Sequence, residues 1–216
     1  MNKSQINLLQ KTILKSSIKA FQKYNKITEG AWLYNTPEYW YTTHIAIALK
    51  KKLPEFSFFI ENSIAEVRQY ATKGAGRPSK RLGTGRTDIS VWKYWKSKDD
   101  YTPKCIIEVK RAWAWNSQTM TPDIDRLCAS IMETDKSISK AYFVVLSDEE
   151  DRVTKSTRSS LNERCTTIHS NIDEYINSKK MPIRVDSELK LSKYYEEDES
   201  MFAAMLFTLA LDNRKK

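Results

Sequence analysis

Three charged residues, Asp88, Glu108 and Lys110, stand in two segments that otherwise read as β-strands, TDISVWKY (residues 87–94) and KCIIEVKRA (residues 104–112). Side chains on a strand alternate faces with a period of two, so Ile106, Glu108 and Lys110 share one face and Cys105, Ile107 and Val109 the other. Asp88 and Ser90 share a face in the same way, opposite Ile89 and Val91. A carboxylate and an ammonium in the middle of a buried strand are costly unless they pair or bind a metal. If the two strands pair, Asp88 and Glu108 converge on one ion. Two carboxylates completed by water and phosphate oxygens are what a hard cation such as Mg²⁺ prefers. The neighbouring lysine can orient an attacking water, help it lose a proton, or offset charge on a phosphorus centre. A buried ion-pair network without catalysis is the other reading of the same charges.

These residues need a scaffold, and the rest of the chain supplies its pattern. Lys3 to Tyr24 spaces Ile6, Leu9, Ile13, Ile18 and Phe21 as an amphipathic helix does. Thr36-Pro37-Glu38 opens a second helix, with threonine able to cap, proline suited to the first turn and an acid near the N-terminus. That helix ends at the lysines of residues 50–52. Phe56 to Ile60 is a strand, Ser63 to Tyr70 is either helix or strand, and KGAGRPSKRLGTGR (residues 73–86) is a glycine-rich basic loop. WKSKDDYTP joins the two charged strands with the polar and proline content of a hairpin connection. Pro122 to Thr134 is expected as a helix, Ala141 to Leu146 as a strand and Arg158 to Asn177 as a helix. Ile183 to Val185 is expected as a short strand, and Ser200 to Leu211 as a terminal apolar helix. The order predicts an α/β sandwich around a mixed sheet.

Thr87-Asp88 followed by the strand-borne Glu108-Val109-Lys110 resembles the PD-(D/E)xK nuclease superfamily, the restriction-endonuclease-like fold, with Thr87 in place of the nominal proline. The family core is αβββαβ, which agrees with the order read across residues 36–146. The resemblance covers about half the chain; with a length that suits one domain, it implies a single nuclease domain over residues 1–216, its central mixed sheet flanked by helices. Within it, 1–30 would be an N-terminal helical extension, 36–146 the catalytic core and 150–216 a C-terminal helical elaboration. Asp88 and Glu108 would hold Mg²⁺, for which Mn²⁺ can substitute, the backbone carbonyl of Val109 would add a ligand, and Lys110 would serve the nucleophile. Many members carry a further Glu on the helix before the sheet, which members with a second metal use to hold it; Glu38 is the match here. The implied activity is metal-dependent hydrolysis of phosphodiester bonds, in DNA ahead of RNA, with restriction or defence against foreign DNA as its setting. A catalytically silent nucleic-acid-binding protein, or an interaction subunit of a larger defence complex, is the alternative on the same fold. The acidic stretch at residues 196–199 before an apolar segment gives the second of these its motive. Symmetric duplex cutting would favour a homodimer.

Charge agrees with a polyanionic partner. The net charge is +9, and residues 1–116 hold 21 Lys/Arg against 9 Asp/Glu while residues 117–216 hold 15 against 18. A basic first half suggests one face that meets nucleic acid, although a lysine-rich solvated surface has the same composition. Arg77, Lys80, Arg81 and Arg86 in the basic loop, with Arg111 beyond the second strand, are the candidate phosphate contacts. Trp113 and Trp115 follow; an indole there can stack on bases, and one of the two is expected in the core. Arg126, on the next helix with Asp123 and Asp125, is a lesser candidate that a helix-surface ion pair explains equally well, and Gln118 stands at the approach to that helix. His44 and His169 are too far apart in the chain to suggest a histidine-based or zinc site.

Three spaced cysteines without a CxxC pair argue against a disulfide framework and for a reducing compartment. The first residues lack a signal-peptide core, and Met201 to Leu211 is about half a membrane span. A cytoplasmic location without membrane attachment is therefore expected. No GxxxxGK[ST] loop, GxSxG elbow or strand-borne GxGxxG occurs, so ATP-driven and acyl-transfer chemistry lack their usual support.

Overall fold

A computed structural model describes residues 1–30, 33–71, 85–97, 99–134, 137–150, 154–195 and 200–212. Its elements, in chain order, are α1 (Lys3–Ile27), α2 (Glu38–Lys52), β1 (Phe56–Ser63), α3 (Ile64–Ala71), β2 (Arg86–Trp95), β3 (Asp100–Arg111), α4 (Ser117–Met132), β4 (Lys140–Glu150), α5 (Thr154–Ser178), β5 (Ile183–Tyr195) and β6 (Ser200–Leu211). The strands form one mixed sheet in the order β1-β2-β3-β4-β6-β5, in which β3 and β4 run parallel and every other neighbouring pair is antiparallel. The expected α/β class with a central mixed sheet between helices is what the chain adopts.

Two cores lie on the two faces of that sheet. One packs α1 and α2 through Leu9, Ile13, Phe21, Tyr41, Ile45 and Leu49 against Ile89, Val91, Ile107 and Val109. The other packs α3, α4 and α5 through Ile64, Val67, Ile124, Leu127, Leu161 and Ile168 against Ile106, Phe143, Val145 and Phe207. The alternation expected on β3 is observed: Ile107 and Val109 belong to the first core and Ile106 to the second. Helix α1 opens with a capping box between Asn2 and Gln5, and Phe21 on its buried face stacks on Phe202 of β6 with ring centroids 4.4 Å apart.

The C-terminal part departs from expectation. Residues 150–216 are not a helical elaboration: after α5 they add β5 and β6 to the sheet. Ser200–Leu211, read as a terminal apolar helix, is a strand between β4 and β5. Its apolar side chains serve both cores, Met201, Ala203, Met205 and Phe207 on one face and Phe202, Ala204 and Leu206 on the other. A strand covered on both faces shows a continuous apolar run, which periodicity alone does not separate from a buried helix. The short strand at 183–185 continues to Tyr195, because β5 is an edge strand that tolerates polar residues.

Smaller differences have local causes. The N-cap position of α2 falls on Pro37, which makes no side-chain capping bond, so Thr36 is not the cap. The undecided segment after Ser63 is the helix α3. Helix α4 begins at Ser117, before the expected Pro122, because Asn116 caps it: its side chain accepts a bond from the Gln118 N–H at 3.0 Å.

Candidate active site

The register of the β2–β3 hairpin places the chemistry. Ile89 pairs with Ile107 and Ser90 with Ile106, so the antiparallel ladder brings Asp88 level with Glu108 on the face that carries α4. Glu108 in turn pairs with Phe143 of β4 and Lys110 with Val145, which carries the strand's charged end along the parallel seam. Asp88 is half-buried, and Glu108 is only 2% exposed.

Asp88 Oδ2 accepts the backbone N–H of Val109 at 2.6 Å, so what the structure gives of Val109 at this site is its amide; its side chain is core. Glu108 Oε1 accepts from Arg126 Nε at 3.0 Å, and Arg126 Nη2 also bonds Asp123. Lys110 Nζ lies 3.2 Å from the second oxygen of Asp123. Asp123 and Arg126 are three residues apart on α4, so one helical face presents both to the sheet. The cluster therefore holds three carboxylates against two cations.

The titration of these groups follows from that balance. Burial is the main cause that lifts Asp88 to about 6, with Glu61 and Asp123 adding to it and the Val109 N–H and Lys110 opposing it. Burial, then the Asp88 charge, lifts Glu108 to about 8 against the pull of Arg126. Burial pulls Lys110 down, but Asp123, then Glu38 and Asp88, outweigh it and hold the ammonium above its ordinary value. Burial likewise acts on Arg126 and is outweighed by Glu108 and Asp123. The ion pair thus satisfies the arginine more fully than the glutamate, and the acid side of the cluster is short of positive charge.

That shortage, with carboxylate oxygens as the donors, suits a hard divalent ion between Asp88 and Glu108. Among the described residues, no three His, Cys, Asp or Glu side chains are gathered to enclose an ion as they are placed. Glu108 is turned to Arg126 and Asp88 to the Val109 amide.

The other sequence candidates are distributed around this centre. Glu38 begins α2, and its Oε1 accepts the backbone N–H of Arg111 at 3.0 Å, close enough to act on Lys110 but against the end of β3. Arg111 is half-buried, and its Nη1 donates to the Leu33 carbonyl at 3.1 Å. Arg86 is exposed at the start of β2, opposite Ser63 of β1. Arg77, Lys80 and Arg81 lie outside the described residues, as does the acidic stretch at 196–199. Trp113 is 60% exposed, while Trp115 is partly buried and packs against the core without being part of its buried interior. Residues 111–119 line an open groove of about 740 Å³ that starts where β3 ends.

His44 Nδ1 lies 2.9 Å from the Trp40 carbonyl and its ring packs on Trp40, on the face of the sheet opposite Glu108. His169 sits between Ser187 and the Val185 carbonyl. The three cysteines are buried and free, and burial pushes Cys105 and Cys128 up to about 12, so neither supplies a thiolate at neutral pH.

Two members of the neighbourhood escaped the sequence reading. Asp123 was legible only as one acid of an ordinary helix, although its spacing to Arg126 was a signal. Glu61 gave no signal. On β1, Ile60 pairs with Ile89 and Asn62 with Thr87, which leaves Glu61 beside Asp88; it is exposed and has a left-handed φ of 54°.

Comparison with protein-family models, with curated proteins and with solved structures finds no match to this chain. No helix among the described residues is long and apolar enough to cross a membrane.

Proposed function

We propose that this chain is a metal-dependent nuclease of the PD-(D/E)xK type that hydrolyses phosphodiester bonds, in DNA ahead of RNA. The observation that carries the reading is the placement of Asp88 and Glu108 side by side on one sheet face, with Lys110 one step further along the same face. The order α2, β1, β2, β3, α4, β4 supports it, since it matches the family's αβββαβ order once α3, after β1, is set aside. Asp88 and Glu108 would hold Mg²⁺ or Mn²⁺, with the Val109 carbonyl as a further ligand and Glu38 the candidate for a second ion. Bound there, the ion would polarise a phosphate oxygen and favour ionisation of a water.

The chain's own residues divide the remaining work. Lys110 is held protonated, so its part is to donate to a phosphate oxygen or position the water, and to offset charge as the phosphorus centre crowds. It is not the base. The exposed Arg86 and the basic segment before it would meet the phosphate backbone. Cytoplasmic restriction or defence, by a homodimer when both strands are cut, is the setting this reading favours.

Nicking of supercoiled plasmid, and cleavage of single-stranded DNA and RNA, with Mg²⁺ or Mn²⁺ test the proposal. Wild type should cleave at least one substrate, and Lys110→Ala and Asp88→Asn should each lose a hundredfold or more. Equal background cleavage by wild type and Lys110→Ala on all three would overturn it.

One observation favours a second reading, a catalytically silent nucleic-acid-binding protein on the same fold: Arg126 already occupies a Glu108 oxygen. Metal-independent DNA binding without cleavage is its expected result.

A further inference from the structure

Arg126 has no part in the chemistry proposed above, yet it sits at the centre of the charges. Its Nε reaches Glu108 Oε1 at 3.0 Å and its Nη2 holds Asp123, while Lys110 holds the other Asp123 oxygen at 3.2 Å. Glu108 is almost fully buried, and the guanidinium is the cation bonded to its carboxyl group in the metal-free protein. An Mg²⁺ or Mn²⁺ ion would have to be held at the same Glu108 carboxylate. That position lies within a few ångströms of a positive group already bonded to the same carboxylate, in surroundings that screen poorly.

We propose that Arg126 is a built-in competitor for the metal: it holds Glu108 when the ion is absent and must release it for the ion to bind. The inference rests on Asp88 and Glu108 being the ligands. Two features let the release occur without unfolding. The bond to Asp123, three residues away on the same helix, tethers the guanidinium at the site after Glu108 is given up. The side chain is 19% exposed, and at its edge stands Gly85, where even an added Cβ would remain 3.7 Å from Nη1. A released Arg126 therefore stays at the mouth of the site with donors turned outward, in a position to meet a phosphate oxygen. The arrangement couples metal entry to the freeing of a phosphate-binding group.

The test reads metal binding and not cleavage. Mn²⁺ binding is followed by loss of the free-ion paramagnetic resonance signal in wild type, Arg126→Gln, Arg126→Lys and the double variant Asp88→Asn/Arg126→Gln. Arg126→Gln should bind Mn²⁺ at least tenfold more tightly than wild type, and the double variant should lose that gain. Arg126→Lys keeps a charge but cannot bridge both carboxylates, so it should show a smaller, severalfold gain; it carries the test if the glutamine variant does not fold. Binding by the folded variants that equals or falls below wild type overturns the inference. Cleavage intact with no gain in Arg126→Gln overturns this inference alone. A tenfold gain with no cleavage by wild type overturns the nuclease reading alone.

Discussion

Replacing Glu108 by glutamine keeps the side chain's shape and removes its charge, and the structure gives the sign of the result. Burial and the neighbouring Asp88 lift Glu108 from 4.5 to about 8. An acid whose folded value lies above its unfolded one binds its proton more tightly in the native state. Its contribution to native stability is therefore undiminished below about pH 4.5 and is lost progressively as the pH rises toward 8. At about 1.4 kcal/mol per tenfold, a shift of that size corresponds to up to about 5 kcal/mol by pH 8.5. Glutamine imitates the protonated acid and escapes this loss. Arg126 is not orphaned by the change, since Asp123 still holds it. The expectation is that Glu108→Gln matches wild type near pH 4.5 and exceeds it by about 2–4 kcal/mol at pH 8.5. Urea unfolding followed by tryptophan fluorescence, in chelator and at several pH values, measures the difference. A conventional buried ion pair would behave oppositely, costing about 3–5 kcal/mol when one partner is removed. A variant less stable than wild type at pH 8.5 would refute the account of an acid cluster short of positive charge.

Two further outcomes follow from the fold and its surface. Leu206→Ala, at a fully buried position of β6, should lower unfolding stability by about 2–5 kcal/mol; a loss under 1 kcal/mol in urea unfolding would refute its place in the core. Trp113→Ala should change stability by less than about 0.5 kcal/mol because the indole is exposed. It should also weaken binding of a fluorescent single-stranded oligonucleotide by about 1–3 kcal/mol, read by anisotropy, and unchanged affinity would remove the indole from the binding surface.

The strand pair that bears the cluster was legible because its signal is local and doubled. Alternation on KCIIEVKRA and TDISVWKY assigned the faces, and a hairpin-length connection made their pairing the simplest arrangement. The contribution of α4 was legible only in part, through Arg126 as a lesser candidate. Asp123 and Arg126 look like any solvated pair three residues apart, and only the packing of that helix on β3 turns them toward Glu108. Glu61 was hidden for a different reason: it reaches Asp88 through an irregular position on β1, and such irregularities have no compositional mark beyond a single residue. The C-terminal strand misled through its own apolarity, since full burial on two faces erases the alternation by which a strand is recognised. Sequence offered Glu38 as a metal candidate and Arg111 as a phosphate contact; the bond that joins them, from the Arg111 amide to the Glu38 carboxylate, had no signal.

The central position of β6 has a consequence for how the molecule comes into being. β6 leaves the ribosome after every other described strand, yet it lies between β4 and β5 and separates them. During synthesis β4 can pair with β3 while its other edge, all of Lys140–Glu150, stays without a partner, and β5 has no strand to join. The half-sheet that carries Asp88, Glu108 and Lys110 is thus made early and left with an open, apolar flank until the last of these strands slots in. A nascent chain stalled before residue 200 would hold every residue of the candidate site on a scaffold that has not closed. Closure of the sheet that carries the site thus waits, by strand order, on the emergence of β6.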